Sequence, residues 1–210
     1  MKGVKTMGAN SNASAIVEAY KNICANVLEA IGDKSGCRTI IVSSPSSNEG
    51  KTTTAINLAV ALSQLSKKVL IIDSDMRNGS VNKKLRLSSM YGLCDLLKNR
   101  CALDQAIVSA GSSLDVILAG AQTLNAEELL LSDTFEDLIS GLKFAYDYII
   151  IDSAAVCEWN DILYTAKYSD GVVLVVREGK SQYKKIDSAI NLLKDKGINL
   201  IGSVLNASVR

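Results

Sequence analysis

Thr39-Ile40-Ile41-Val42-Ser43-Ser44-Pro45-Ser46-Ser47-Asn48-Glu49-Gly50-Lys51-Thr52-Thr53-Thr54 is the stretch whose reading decides the fold. A β-branched apolar run leads into a polar loop, and an amphipathic run starts at Ala55. That order is strand, loop, helix. The loop closes on Gly50-Lys51-Thr52, the second half of the G-x-x-x-x-G-K-[ST] phosphate-binding pattern. In such a loop the backbone N–H groups converge on anionic oxygens, and the helix N-terminus adds its positive end. Gly50 lets the backbone approach a phosphate closely. Lys51 is placed to reach β- and γ-phosphates, and the Thr52 hydroxyl to take a magnesium ion. Ser47, Asn48, Glu49 and Thr53 complete the expected cradle for ATP. Pro45 stands where the common pattern has its first glycine.

Downstream of the loop, strand and helix patterns alternate. Strands are expected at 38–42, 68–72, 114–119, 148–151, 171–176 and 198–205. Helices are expected at 52–65, 126–144, 160–168 and 183–196, with short helical pieces at 92–98 and 103–108. Several strand runs are apolar without alternation, which marks strands covered on both faces. The expected class is α/β: a doubly wound, mostly parallel sheet. Upstream, residues 15–31 carry Ile16, Tyr20, Ile23, Val27 and Ile31 at helical spacing, with Ser14 as the expected cap. Residues 1–14 read as a flexible tail or linker, and 15–210 as one domain.

Two of the apolar runs end in acid. Val69-Leu70-Ile71-Ile72 runs into Asp73-Ser74-Asp75, and Tyr148-Ile149-Ile150-Ile151 into Asp152. Ligands of open α/β sheets bind beyond the carboxyl ends of the strands, the same edge as the phosphate loop. Carboxylates there can hold magnesium or its waters, and one can take a proton from an incoming hydroxyl. The bland role for either is a helix cap. Two acidic strand ends together with Gly50-Lys51-Thr52 favour the chemical role, with Thr52, Asp73 and Asp152 around the metal.

Composition narrows the classes. Lys+Arg number 23 and Asp+Glu 22, so nothing electrostatic favours nucleic acid as a partner. With no histidine, a His-based metal site and a His general base are excluded. The five cysteines form no C-x-x-C pair and are expected as reduced thiols in a cytoplasmic protein.

Three segments together resemble the nucleotide motifs of the bacterial tyrosine kinases of capsule and exopolysaccharide synthesis: 43–54, Val69 to Arg77, and Tyr146 to Asp152. The resemblance continues through Gly92 to Leu97, Glu128-Leu129-Leu130, Asp170 to Arg177 and Gly202 to Asn206. The wider class is the deviant P-loop ATPases of the septum-site and partition type. These carry a signature lysine at a position occupied here by Ser46, which favours the kinase branch.

The resemblance implies an ATP- and magnesium-dependent protein-tyrosine kinase. Lys51, Asp73, Asp75 and Asp152 would be catalytic, and Asn206 would lie near the nucleotide. It implies tyrosine-bearing protein substrates and a transmembrane chain-length regulator as partner. The chain would then sit in the cytoplasm, peripheral to the inner face of the membrane. Glu18 to Val27 resembles the family's subunit-contact segment, but Lys21 and Cys24 replace its two arginines, so a weaker homo-oligomer is expected. Ser153-Ala154-Ala155 replaces the usual Thr-Pro-Pro after Asp152. The tyrosine-rich tail that family members phosphorylate is not among these residues. A nucleotide-dependent ATPase switch or scaffold with little phosphotransfer is the alternative reading.

Overall fold

The computed structural model describes residues 11–32 and 35–206. Seven strands form one sheet: β1 (Arg38–Ser43), β2 (Val69–Asp73), β3 (Ile107–Gly111), β4 (Leu114–Ile117), β5 (Tyr148–Asp152), β6 (Gly171–Arg177) and β7 (Leu200–Asn206). Their order is β3-β4-β2-β5-β1-β6-β7, parallel throughout except that β3 runs antiparallel to β4. Nine α-helices accompany them among the described residues: α1 (Ser11–Ile31), α2 (Lys51–Gln64), α3 (Val81–Leu85), α4 (Leu93–Leu97), α5 (Leu103–Ala106), α6 (Ala126–Leu131), α7 (Asp133–Leu142), α8 (Asp161–Thr165) and α9 (Tyr183–Asp195).

The unbroken apolar runs become central strands because both sheet faces are covered. Successive side chains point to opposite faces. Ile41, Leu70, Ile72, Ile149 and Ile151 pack with Leu93, Leu130, Phe135, Ile139 and Leu193. Ile40, Val42, Val69, Ile71 and Ile150 pack with Val27 of α1, Leu58 and Leu62 of α2 and Val81 of α3. Two cores back to back make the doubly wound architecture the sequence implied. Among the described residues no helix is long and apolar enough to cross a membrane.

Three local expectations need correction. The helix expected over 126–144 is two helices. The Ser132 hydroxyl donates to the Leu129 carbonyl at 2.7 Å and accepts from the Phe135 N–H at 3.3 Å. It thereby ends α6 and caps α7, a competition that serine offers a helix locally. The helical piece expected over 103–108 stops at Ala106, and Ile107 enters the antiparallel edge strand β3. The first helix starts at Ser11, upstream of the position expected, so Ser14 lies inside it and the tail boundary moves. The remainder of the expected tail, residues 1–10, lies outside the described residues. Helix α3 has no sequence signal of its own; its start is held by Asp73, as described below.

Candidate active site

The phosphate loop leaves β1 at Ser43 and enters α2 at Lys51. Two of its residues take the left-handed backbone, Asn48 at φ 62° and Gly50 at φ 105°. For Gly50 the requirement is also steric, since a Cβ there would collide with the Asn206 side-chain amide. That amide donates to the Glu49 carbonyl at 3.0 Å. The first turn of α2 carries no acidic residue, so nothing on the helix itself offsets its positive end.

The loop is braced from outside by groups far along the chain. The Glu49 carboxylate accepts from the Ser46 N–H at 3.0 Å and from the Ser181 hydroxyl at 2.6 Å. Glu158 accepts from the Ser47 N–H at 2.8 Å and from the Ser47 hydroxyl. Arg177 Nη1 and Lys180 Nζ each donate to the Asn48 carbonyl at 3.2 Å. The signal that could have found Arg177 is the one that found Asp73 and Asp152: it ends a strand on the phosphate side of the sheet.

The acidic set lies where the strand ends put it. Asp73 and Asp152 are register partners across β2 and β5. Asp73 Oδ2 accepts from the N–H groups of Ser80 and Val81 at 3.0 and 3.1 Å, so one oxygen performs the bland task of holding the start of α3. Its other oxygen is buried without a partner, as are both oxygens of Asp152. Burial pushes the Asp73 carboxyl well above the ordinary range, and the neighbouring charge of Asp152 adds to it. Burial also raises Asp152, against the pull of Lys51. The Thr52 hydroxyl is near enough to favour the Asp152 charge, although neither carboxylate oxygen has a donor in bonding geometry.

Asp75, past the strand end, takes Lys51 Nζ at 3.1 Å. Burial works against the Lys51 charge, but Asp152 and Asp75 outweigh it and hold the ammonium above its usual range. Thr52 Oγ1 accepts from the Ser80 hydroxyl at 3.0 Å or donates to it.

Orphaned carboxylate oxygens beside a threonine hydroxyl fit a magnesium ion. Thr52, Asp73 and Asp152 would hold it directly or through water. Among the described residues no three acidic or thiol groups converge into a self-sufficient metal cage. Magnesium does not need one, because it keeps several waters and binds through one or two carboxylates plus substrate phosphates.

Above this set lies a cavity of about 540 Å³. Of the residues expected at the site, Ser47, Asn48, Gly50, Lys51, Thr52, Thr53, Asp75 and Asn206 line it, joined by Asn78, Ser80, Lys84 and Arg177. Glu49 does not: its side chain turns back into the loop and is 1% exposed. Asp152 is fully buried beneath the site. Asp73 opens instead onto a second cavity of about 460 Å³, which Tyr91 and Gln122 also line.

Arg77 ties the two acidic loops together. Its Nη1 donates to both oxygens of fully buried Asp161 at 2.8 and 2.7 Å, and its guanidinium lies 4.0 Å from the centre of the Trp159 ring. The chain after Asp75 is thereby fastened to the chain after Asp152. In the segment resembling the family's subunit contact, Cys24 is buried in the core and Lys21 pairs with Glu18 at 3.5 Å on the surface. The second arginine position of that motif thus faces inward in this chain. All five cysteines are free thiols.

A family model described as an AAA domain matches residues 37–195. The chain is 32% identical over 190 residues to the tyrosine-protein kinase YwqD of Bacillus subtilis, covering 90% of this chain and 80% of that protein. It spans 28% and 24% of the length of two longer tyrosine-protein kinases that it also resembles, ptk of Acinetobacter johnsonii and wzc of Salmonella typhi. Among solved structures, the kinase domain of the Escherichia coli tyrosine kinase ETK superposes with a TM-score of 0.91 at 25% identity, over 100% of this chain and 82% of that one. The septum site-determining protein MinD of Pyrococcus horikoshii, solved with Mg-ADP, gives 0.68 at 25% identity, over 81% and 70%.

Proposed function

This chain belongs to the bacterial tyrosine-protein kinases, within the AAA-domain class, and from that membership we propose that it transfers the γ-phosphoryl group of ATP to protein tyrosine at the cavity above Lys51. The observation that carries the site assignment is the set of unpartnered carboxylate oxygens on Asp73 and Asp152 behind a phosphate loop. Buried acceptors without donors are costly, and a cation makes them useful.

The roles follow from the geometry. Loop N–H groups and the α2 N-terminus take the phosphates. Lys51, now held by Asp75, moves to the β- and γ-oxygens when the triphosphate enters, and Arg177 adds charge at the cavity wall. A magnesium ion, when bound, supplies charge neutralisation to the phosphates. Asp73 lines the second cavity, so an acceptor phenol would reach it from the side of Tyr91 and Gln122. In its ionised form it can receive the phenol proton, although phosphoryl transfer depends more on positioning and charge than on a strong base.

The kinase reading is preferred to the ATPase switch because the fit to the ETK kinase domain is closer than that to MinD. By the family resemblance, the process served is capsule or exopolysaccharide synthesis and export, alongside a membrane-spanning chain-length regulator. That partner would hold this chain at the inner face of the membrane. Inward-facing Cys24 supports a weaker self-assembly than a stable ring.

Calorimetric titration with ATP, with and without magnesium, tests the site. Wild-type protein should bind tightly only with the metal, and Asp152→Asn should lose the metal's benefit while keeping metal-free binding. Identical titrations for the two proteins would remove the assignment. Restoring the host's deleted gene with wild type or Lys51→Met tests the process: only wild type should restore surface polysaccharide, and equal restoration would contradict the role.

A further inference from the structure

We propose that Tyr183 is a phosphorylation site of this protein, modified by a second copy of the chain. The inference rests on the kinase reading above and names an acceptor for it. All seven tyrosines lie among the described residues, so their surroundings can be compared directly. The Tyr146 phenol donates to Asp115 Oδ2 at 2.9 Å, that of Tyr168 to Glu136 Oε2 at 3.0 Å and that of Tyr164 to Glu127 Oε2 at 3.4 Å. The Tyr20 hydroxyl lies 3.5 Å from the Thr54 hydroxyl. Tyr91 and Tyr148 are half-buried. Tyr183 stands apart: its side chain is 81% exposed at the first residue of α9.

Exposure matters because a kinase must receive the acceptor ring whole. A tyrosine packed into the surface can enter a cleft only after local unfolding, whereas an exposed one at an element's end enters as it stands. The residue before Tyr183 is extended, with Gln182 at φ −80° and ψ 132°. The chain there can therefore be presented without unwinding the helix behind it.

The surroundings also tolerate the product. A tyrosine phosphate adds about −1.5 to −2 charge near neutral pH. Lys180, Lys184 and Lys185 flank the position, and the first turn of α9 carries no acidic residue to repel it. Tyr183 lines neither the nucleotide cavity nor the second cavity beside Asp73, so its hydroxyl is offered to another molecule.

The step balances within the kinase reaction. Tyr183 Oη forms a bond to the γ-phosphorus of ATP. The bond from that phosphorus to the β–γ bridging oxygen breaks, and ADP leaves with the electron pair. The phenol proton passes to a carboxylate of the enzyme copy or to water.

The test separates enzyme from acceptor. A Tyr183→Phe copy serves as the enzyme, and an isotopically heavy Lys51→Met copy as the acceptor. A random Glu–Tyr copolymer in the same tube reports whether the enzyme copy is active. With ATP and magnesium, phosphotyrosine should appear on the heavy peptide that contains Tyr183, at a rate rising with the concentration of either copy. A heavy Lys51→Met/Tyr183→Phe copy should lose most of the label. Labelled copolymer with an unlabelled Tyr183 peptide would overturn the proposal and leave the kinase reading standing. So would equal labelling of the heavy copy that lacks Tyr183. Phosphotyrosine on neither the copolymer nor either copy would remove the kinase reading and this acceptor with it.

Discussion

Arg77→Met should destabilise the protein through a group it does not itself alter. Asp161 is fully buried, and both its oxygens take Arg77 Nη1 at 2.8 and 2.7 Å. Removing the guanidinium leaves that carboxylate buried without a countercharge. Breaking a buried pair on one side costs about 3–5 kcal/mol. Loss of the guanidinium–Trp159 contact adds about 0.5–2 kcal/mol, partly recovered because methionine fills some of the space. A net loss of about 3–5 kcal/mol would lower a urea midpoint by about 1–2 M. Burial already raises the Asp161 carboxyl against the pull of Arg77. In the variant it should rise further and take up a proton, so the deficit should shrink as pH falls. Arg77→Met/Asp161→Leu removes both charges and should recover most of the stability. The assay is urea unfolding followed by circular dichroism, at neutral and mildly acidic pH, for wild type, both singles and the double. A single-variant loss under about 1 kcal/mol, or a double variant as unstable as the sum of the singles, would refute the reasoning.

Lys51→Met should keep the fold and lose ATP–magnesium binding or transfer, because the charge-assisted contacts to the phosphates go with the ammonium; fluorescent-nucleotide titration checks this. Asp73→Asn should raise the melting temperature near neutral pH while lowering transfer by orders of magnitude. The sign follows from the raised carboxyl: the unfolded chain gives up this proton near pH 4 and the folded chain at about 8. Between those values wild-type stability falls with rising pH, and the advantage of the Asp73→Asn variant should vanish towards about pH 4 in a calorimetric series. Gly50→Ala should weaken nucleotide binding, since a Cβ strains the left-handed backbone and displaces the Asn206 amide from the Glu49 carbonyl; Gly50→Ala/Asn206→Gly should regain only the steric part.

The parts legible in the sequence were those whose cause is local. Ile40 to Val42, Val69 to Ile72 and Ile149 to Ile151 read as central strands because two-sided burial writes an unbroken apolar run. Gly50-Lys51-Thr52 and the acids at strand ends read as a site because the chemistry demands those residue types there. The rest is set by distance in space. Ser132 is the exception, a local break made by one hydroxyl inside an otherwise helical pattern, whereas Asp73 organises α3 from the end of β2. Glu158, Lys180 and Ser181 brace the phosphate loop from far along the chain, where no motif announces them, and Arg177 does so from the end of a recognised segment. Arg77 stood inside a recognised segment, but its partner Asp161 could not be named before the loops were seen together.

The most direct test of the central claim is the fate of the γ-phosphate. Wild-type protein, ATP labelled at the γ-position, magnesium and a tyrosine-bearing polypeptide are incubated together, and tyrosine-bound phosphate and free phosphate are measured in the same samples. The account predicts phosphate on tyrosine in excess of free phosphate, with both lost in Asp152→Asn. Free phosphate as the sole product, or undiminished transfer in Asp152→Asn, would contradict it.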